Sequence, residues 1–192
     1  MNKPNDFENV QGYEEFVPLE LGGHYLKIVS VKEVQSSTGK AMIKIAIDTA
    51  STDAQPGYYQ KIFDADKRPD KKWPNGAVVN QLIYDNDGNT NRGFKTFITA
   101  VEKSNPGFAV QWGDDFAKCF KGRFVGGVFG REEYISQKDG QPKFATKCMQ
   151  FRSFDAIAEG VEIPKDKLLP ATQNIMSQEG GFLDLSDDDL PF

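Results

Sequence analysis

Ile43, Ile45 and Ile47 alternate with Lys44, Ala46 and Asp48. That is the two-residue period of a strand that buries one face and wets the other. The run from Ala41 to Thr49 follows a β-rich stretch from His24 to Val34. Between them Gln35-Ser36-Ser37-Thr38-Gly39-Lys40 supplies a turn, so the pair reads as a hairpin. A second hairpin is expected from Gly122 to Tyr134 and Lys143 to Arg152, where Asp139-Gly140 is a strong turn signal. Against this β background one helix stands out. Phe94, Phe97, Ile98 and Val101 fall at i, i+3, i+4 and i+7 between Asn91 and Lys103. Asn89, Thr90 and Asn91 offer caps before it, and Ser104-Asn105-Pro106-Gly107 ends it.

Other segments are less decided. Tyr58 to Phe63 reads as a short strand, and Asp64 to Gly76 as a polar loop containing Trp73. Periodicity leaves Ala77 to Tyr84 as strand or helix, and a helical turn is expected within Asp114 to Phe120. Gly126, Gly127 and Gly130 suit a strand that bends or bulges. The order is three strands, a helix and two strands, which is the order of the OB-fold. The fold class expected is mainly β: an OB-fold-like five-stranded barrel with one main helix between strands 3 and 4, and a disordered acidic C-terminal tail. The expected divisions are an N-terminal arm over 1–20, the barrel domain over 21–160, a linker over 161–180 and the tail over 181–192.

Composition narrows the function. Hydrophobic residues make up 39% of the 192 and charged residues 27%, as in a soluble globular chain. No apolar run approaches a membrane span and the N-terminus lacks a signal-peptide core, so a cytoplasmic location, in a bacterial host cell, is expected. Two cysteines, Cys119 and Cys148, and one histidine, His24, cannot assemble a zinc site. No metal or other cofactor is expected. The cysteines read as reduced and largely buried, and His24 as structural or exposed. The net charge of −5 is uneven. Five of the 28 acids and none of the 23 bases lie in residues 178–192, which leaves a neutral body able to present a basic groove.

The final residues are Asp187, Asp188, Asp189, Leu190, Pro191 and Phe192. Such a tip cannot build a core, but it can plug a partner. Phe192 would fill an apolar pocket, its carboxylate would meet Arg or Lys, and the aspartates would steer the approach. The tip resembles that of bacterial and phage single-stranded-DNA-binding proteins, which end in Asp-Asp-Asp-(Ile/Leu)-Pro-Phe. Residues 22–160 resemble the phage-encoded members through Gly23-His24-Tyr25-Leu26-Lys27-Ile28, Phe94-Lys95-Thr96-Phe97-Ile98 and Val125 to Tyr134. The resemblance implies a protein that coats single-stranded DNA in replication, recombination and repair. It further implies recruitment of the enzymes of those processes through the tail. The longer body and the lack of a long Gly/Gln-rich linker depart from the cellular tetramers, and a homo-oligomer stays open.

A sequence-tolerant single-strand binder needs aromatic faces for bases and cations for phosphates. Three segments interleave them. The first carries Tyr58, Tyr59, Lys61 and Phe63, then Lys67, Arg68, Lys71, Lys72 and Trp73. The second carries Arg123, Phe129, Arg131 and Tyr134, and the third Lys143, Phe144, Lys147 and Arg152. The residues expected at DNA are Tyr58, Tyr59, Lys61, Lys71, Lys72, Trp73, Arg123, Arg131, Tyr134, Lys143, Lys147 and Arg152. The bland reading is that Phe63, Phe124 and Phe144 are core and that Lys143 and Lys147 are a solvated strand face. An adaptor that shares the tail without binding DNA is the alternative function. An enzyme is not expected. Asp85-Asn86-Asp87-Gly88 reads as a turn rather than a metal-binding carboxylate cluster, and no phosphate loop or His-bearing dyad is present.

Overall fold

The computed structural model describes residues 3–5, 7 and 17–170. The two expected hairpins form: β1 (Gly22–Gln35) with β2 (Ala41–Thr49), and β4 (Phe124–Ile135) with β5 (Pro142–Arg152). Gly140 takes φ of +67° in the second turn and donates to the Ser136 carbonyl at 2.8 Å, as the Asp-Gly signal requires. The undecided segment resolves as β3 (Val78–Leu82), preceded by a single 3-10 turn at Asn75–Ala77. Tyr58 to Phe63 is not a strand but the start of helix α1 (Tyr58–Ala65). Its first N–H groups are satisfied from β2. The Thr49 hydroxyl accepts from Tyr58 N at 2.9 Å, and Asp48 Oδ1 accepts from Tyr59 N at 2.8 Å. Tyr59 and Ile62 then face the core at helical spacing, and Phe63 packs on Trp73.

The expected main helix is α2 (Arg92–Ser104). Asn91 caps it by accepting from Gly93 N, and Phe94, Phe97, Ile98, Ala100 and Val101 are its buried stripe. A single turn, α3 (Phe116–Cys119), follows. The segment after Phe154, expected to be irregular, instead opens with α4 (Phe154–Ala158), capped by the Ser153 hydroxyl accepting from Ala156 N. Nor is the stretch from 161 onward free of the body. Lys167 N donates to Arg131 O at 2.8 Å and accepts through its carbonyl from Glu133 N at 2.9 Å. It thereby takes the edge of β4 that β1 vacates beyond Gly22. The part of the expected linker over 171–180 and the tail over 181–192 lie outside the described residues. At the other end Leu19 is buried, and Gln55 clamps Pro18 O and Glu20 N, so packed structure starts before Gly22.

The strands make one antiparallel five-stranded sheet in the order β3-β2-β1-β4-β5. The closed barrel expected from the sequence is not formed. No ladder joins the outer strands β3 and β5, and a seam remains between them. Helix α2 packs inside the curl of the sheet against β3, β4 and β5. Its Phe97 meets Phe120 and Phe151 with ring centroids 5.3 and 4.9 Å apart. Ile43, Ile45 and Ile47 supply the β2 side of this core, fully buried as the alternation predicts. Each such side chain contributes about 1.5–3 kcal/mol.

The β4 glycines serve close approach. A Cβ on Gly126 would run into Ile157 of α4, and one on Gly130 would sit 3.2 Å from Pro164. The chain after β5 therefore folds back across the outer side of β4.

Candidate nucleic-acid interface

Two bulges decide which side chains share a face. On β1 the register skips Val29, so Ile28 pairs with Ile47 but Ser30 pairs with Ala46. Both Ile28 and Val31 then point inward, and Lys32 turns outward, directly opposite Lys44. Asn80 of β3 completes the row. The neighbouring rows are Ser30, Ala46 and Val78 on one side and Val34, Met42 and Leu82 on the other. None of these nine outward positions is acidic. Like charges directly across a ladder destabilise a sheet. Neither lysine has an ion pair or hydrogen bond among the described residues, so the row attracts an anion.

On β5 the extra residue is Met149. Val128 pairs with Gln150, but Phe129 pairs with Cys148 and Gly130 with Lys147. The phase change sets Lys143, Lys147 and Arg152 on one face, with Tyr134 directly opposite Lys143. Without it, Arg152 would face away from the two lysines. Tyr134 is 43% exposed. Lys143 pairs with Asp139 and Arg152 donates to Gln150 Oε1, both at the surface, where such contacts exchange readily for a phosphate.

The other expected site residues divide. Lys147 Nζ donates to Asn75 O at 3.3 Å, which brings β5 against the loop carrying Lys71, Lys72 and Trp73. Trp73 is not the freely exposed ring expected from the sequence. Its indole N–H donates to Ile47 O at 3.1 Å, and it packs 5.4 Å from Phe63. The residue is only partly buried. Lys71 lies over the Phe63 ring at 4.3 Å, while Lys61 and Lys72 are exposed.

Tyr59 must be withdrawn as a stacking platform. It is 4% exposed, its hydroxyl donates to Gly76 O, and burial pushes its phenol well above the ordinary value. Tyr58 is half-buried edge-on against it. Arg131 is committed elsewhere, its guanidinium bidentate on Asp166 at 2.9 and 2.7 Å and stacked over Phe144. Phe129 is core. Arg123 lies over Phe108 at 4.4 Å. Phe144 and Phe124, read as core, are 46% and 38% exposed.

Sequence reasoning missed Lys32, Lys44, Asn80 and Arg92. The alternation along β2 already marked Lys44 as outward. Nothing local marked Lys32, whose side depends on the Val29 bulge.

The seam between β3 and β5 opens into a cleft of about 340 Å³, lined by Val79 and Gln81, by Arg92, Gly93 and Thr96 of α2, and by Cys148 to Arg152. No carboxylate lines it. Burial pushes the Cys148 thiol up to about 12, which leaves it a neutral, unreactive wall. A wider depression of about 820 Å³ beside Trp112 and Tyr84 carries Glu33 and Asp114, a poorer setting for phosphates.

His24 lies apart from this surface and is structural. Its Nδ1 is 3.0 Å from Asp53 Oδ1, and its Nε2 is 3.1 Å from Glu20 O. Among the described residues no group of His, Cys, Asp or Glu is placed to hold a metal ion, and no helix is long and apolar enough to cross a membrane. No protein-family model matches the sequence, and no curated protein matches it.

Proposed function

We propose that this chain is a single-stranded-DNA-binding protein that coats exposed strands during phage DNA replication, recombination and repair. We read the fold as an OB-like barrel left open at the β3–β5 seam, since the strand order and the helix after strand 3 follow that pattern. The observation that carries the function is the acid-free outer row in which Lys32 faces Lys44. Across the seam, Lys143, Lys147 and Arg152 extend the same positive surface, with Tyr134 and the partly exposed Trp73 as stacking faces. Asp187 to Phe192 then recruit a replication, recombination or repair enzyme without touching DNA.

The test is a salt titration of oligo-dT binding, followed by quenching of the two tryptophans, on the full chain and on one lacking residues 187–192. Five outward cations predict a slope of log K against log salt of about −3.5, at about −0.7 per phosphate on a single strand. Lys32→Ala with Lys44→Ala makes it shallower by about 1.4. Tail deletion preserves or tightens binding and abolishes partner capture. Absence of salt-sensitive binding at low ionic strength would refute the proposal and leave a tail-bearing adaptor.

A further inference from the structure

The seam cleft has more built into it than a phosphate track requires. Gln81 is fixed. Its Nε2 donates to Leu82 O and to Asn91 Oδ1, both at 2.9 Å. That leaves Oε1 as an acceptor of set direction, held against α2 at Gly93. A Cβ there would lie 2.6 Å from this oxygen, so glycine makes the room. On the opposite wall Gln150 Oε1 accepts from Arg152, which orients that guanidinium and leaves the Gln150 amide N–H groups as donors. Arg92 stands at the α2 end, with no side-chain bond among the described residues. One fixed acceptor therefore shares with a set of donors a cleft of about 340 Å³, within the range of pre-formed small-molecule sites.

We propose that this cleft receives one nucleotide of the bound strand and prefers guanine. The proposal rests on the single-strand reading above and adds a point of base selectivity to it. Guanine offers two adjacent acceptors, O6 and N7, which an arginine fork meets bidentately, and a 2-amino donor on the other side for a fixed acceptor. Thymine has no two adjacent acceptors, cytosine pairs O2 with N3 but carries its amino group beside them rather than across the ring, and adenine presents a donor where guanine has O6. Arg92 would take O6 and N7, and Gln81 Oε1 the amino group. The absence of a carboxylate from the lining lets the attached phosphate approach.

The experiment compares a dT oligomer with oligomers carrying a single central dG, dA or dC, on the full chain. The expected result is about tenfold tighter binding for dG, and little change for dA or dC. Arg92→Ala and Gln150→Ala, both surface substitutions, should each bring the dG-to-dT ratio close to one, and circular dichroism checks their folding. Salt-sensitive binding with equal dG and dT affinities refutes the cleft assignment alone. A dG preference that survives both substitutions also refutes it, since the selectivity then lies elsewhere. Failure of every oligomer to bind refutes the single-strand reading together with the cleft.

Discussion

The His24–Asp53 pair makes a prediction whose sign and size follow from its geometry. His24 is 3% and Asp53 8% exposed. The two ring nitrogens of His24 both face oxygens that can only accept, the Asp53 carboxylate and the Glu20 carbonyl, so the ring is satisfied only as an imidazolium. Burial opposes that charge. The hydrogen bond and charge of Asp53, helped by the Glu20 carbonyl, outweigh it and raise the pKa above 6.5. A raised pKa means stability that is fully present below 6.5 and is lost as pH climbs through the folded value. Asp53, buried but bonded to His24, Gln55 N and Tyr25 N, is lowered from 3.8, so the same interaction fades in acid only below that value.

Asp53→Asn removes the charge. The amide can donate to a neutral His24, whose Nε2–H keeps the Glu20 carbonyl. It then turns an N–H toward one of the two backbone donors, Tyr25 N or Gln55 N, that the carboxylate accepts from at 2.8 and 2.9 Å. One charge-assisted bond at about 1.5–3 kcal/mol and one stranded buried donor at about 1–3 kcal/mol are lost. The total is about 3–5 kcal/mol, the usual cost of breaking a buried pair from one side. For a chain of this length that lowers Tm by roughly 10 °C. Thermal melts from pH 5.5 to 8.5 read both effects. Wild type should lose Tm as pH rises past 6.5 and through the raised folded value, while the variant starts lower and stays flatter, so that the curves converge. The upper limit of 8.5 avoids Cys148, whose thiol ionises in the unfolded chain near 9 but not in the folded one. A variant that keeps the wild-type alkaline slope, or costs less than about 1 kcal/mol, would refute the assignment of a charged ring.

Two further substitutions test the packing that holds the interface strands in place. Gly126→Val places side-chain atoms into Ile157 and against the Arg152 and Ser153 carbonyls, 2.9 and 3.0 Å from the new Cβ, so α4 must lift. Urea melts should show a loss of about 1–3 kcal/mol. Asn105→Ala removes a buried side chain that donates to Val101 O and Phe124 O and accepts from Phe124 N. It strands the entry of β4 and should cost about 2–4 kcal/mol in the same assay.

The elements that were legible from the sequence are those with all their determinants in one stretch. Asn91, the Phe94 stripe and Asn105-Pro106 announce α2, and Asp139-Gly140 announces the β4–β5 turn. Helix α1 was misread because its first N–H groups are satisfied by Asp48 and Thr49, about ten residues back on β2, and Tyr58-Tyr59 has strand propensity by itself. Helix α4 was missed because it is short. Ile157 is placed by the gaps at Gly23 and Gly126, which are distant in sequence. The barrel expectation failed at two points: the third strand is Val78–Leu82 rather than Tyr58 to Phe63, and the sheet does not close, because Trp73 takes the Ile47 carbonyl just beyond the start of β3 and the α2 N-terminus stands in the seam.

The proposed binding surface was hidden for a sharper reason. Counting by twos from Ile28 along β1 puts Lys32 in the core phase, and counting by twos back from Arg152 along β5 sets Lys147 and Lys143 on the opposite face from it. Both counts fail at a single inserted residue, Val29 in one strand and Met149 in the other. Each bulge lets a strand bury the apolar residues on both sides of it, Ile28 with Val31 and Cys148 with Phe151, while the intervening phase change sends its cations outward. The same device that lets an open sheet curl around α2 therefore also sets Lys32, opposite Lys44, and Lys143, Lys147 and Arg152 on the outer side of the sheet. A strand without the insertion that kept Ile28 inward would bury Lys32 and expose Val31. The bulge is thus the cheapest arrangement for the core and, by the same step, the origin of the Lys32–Lys44 row.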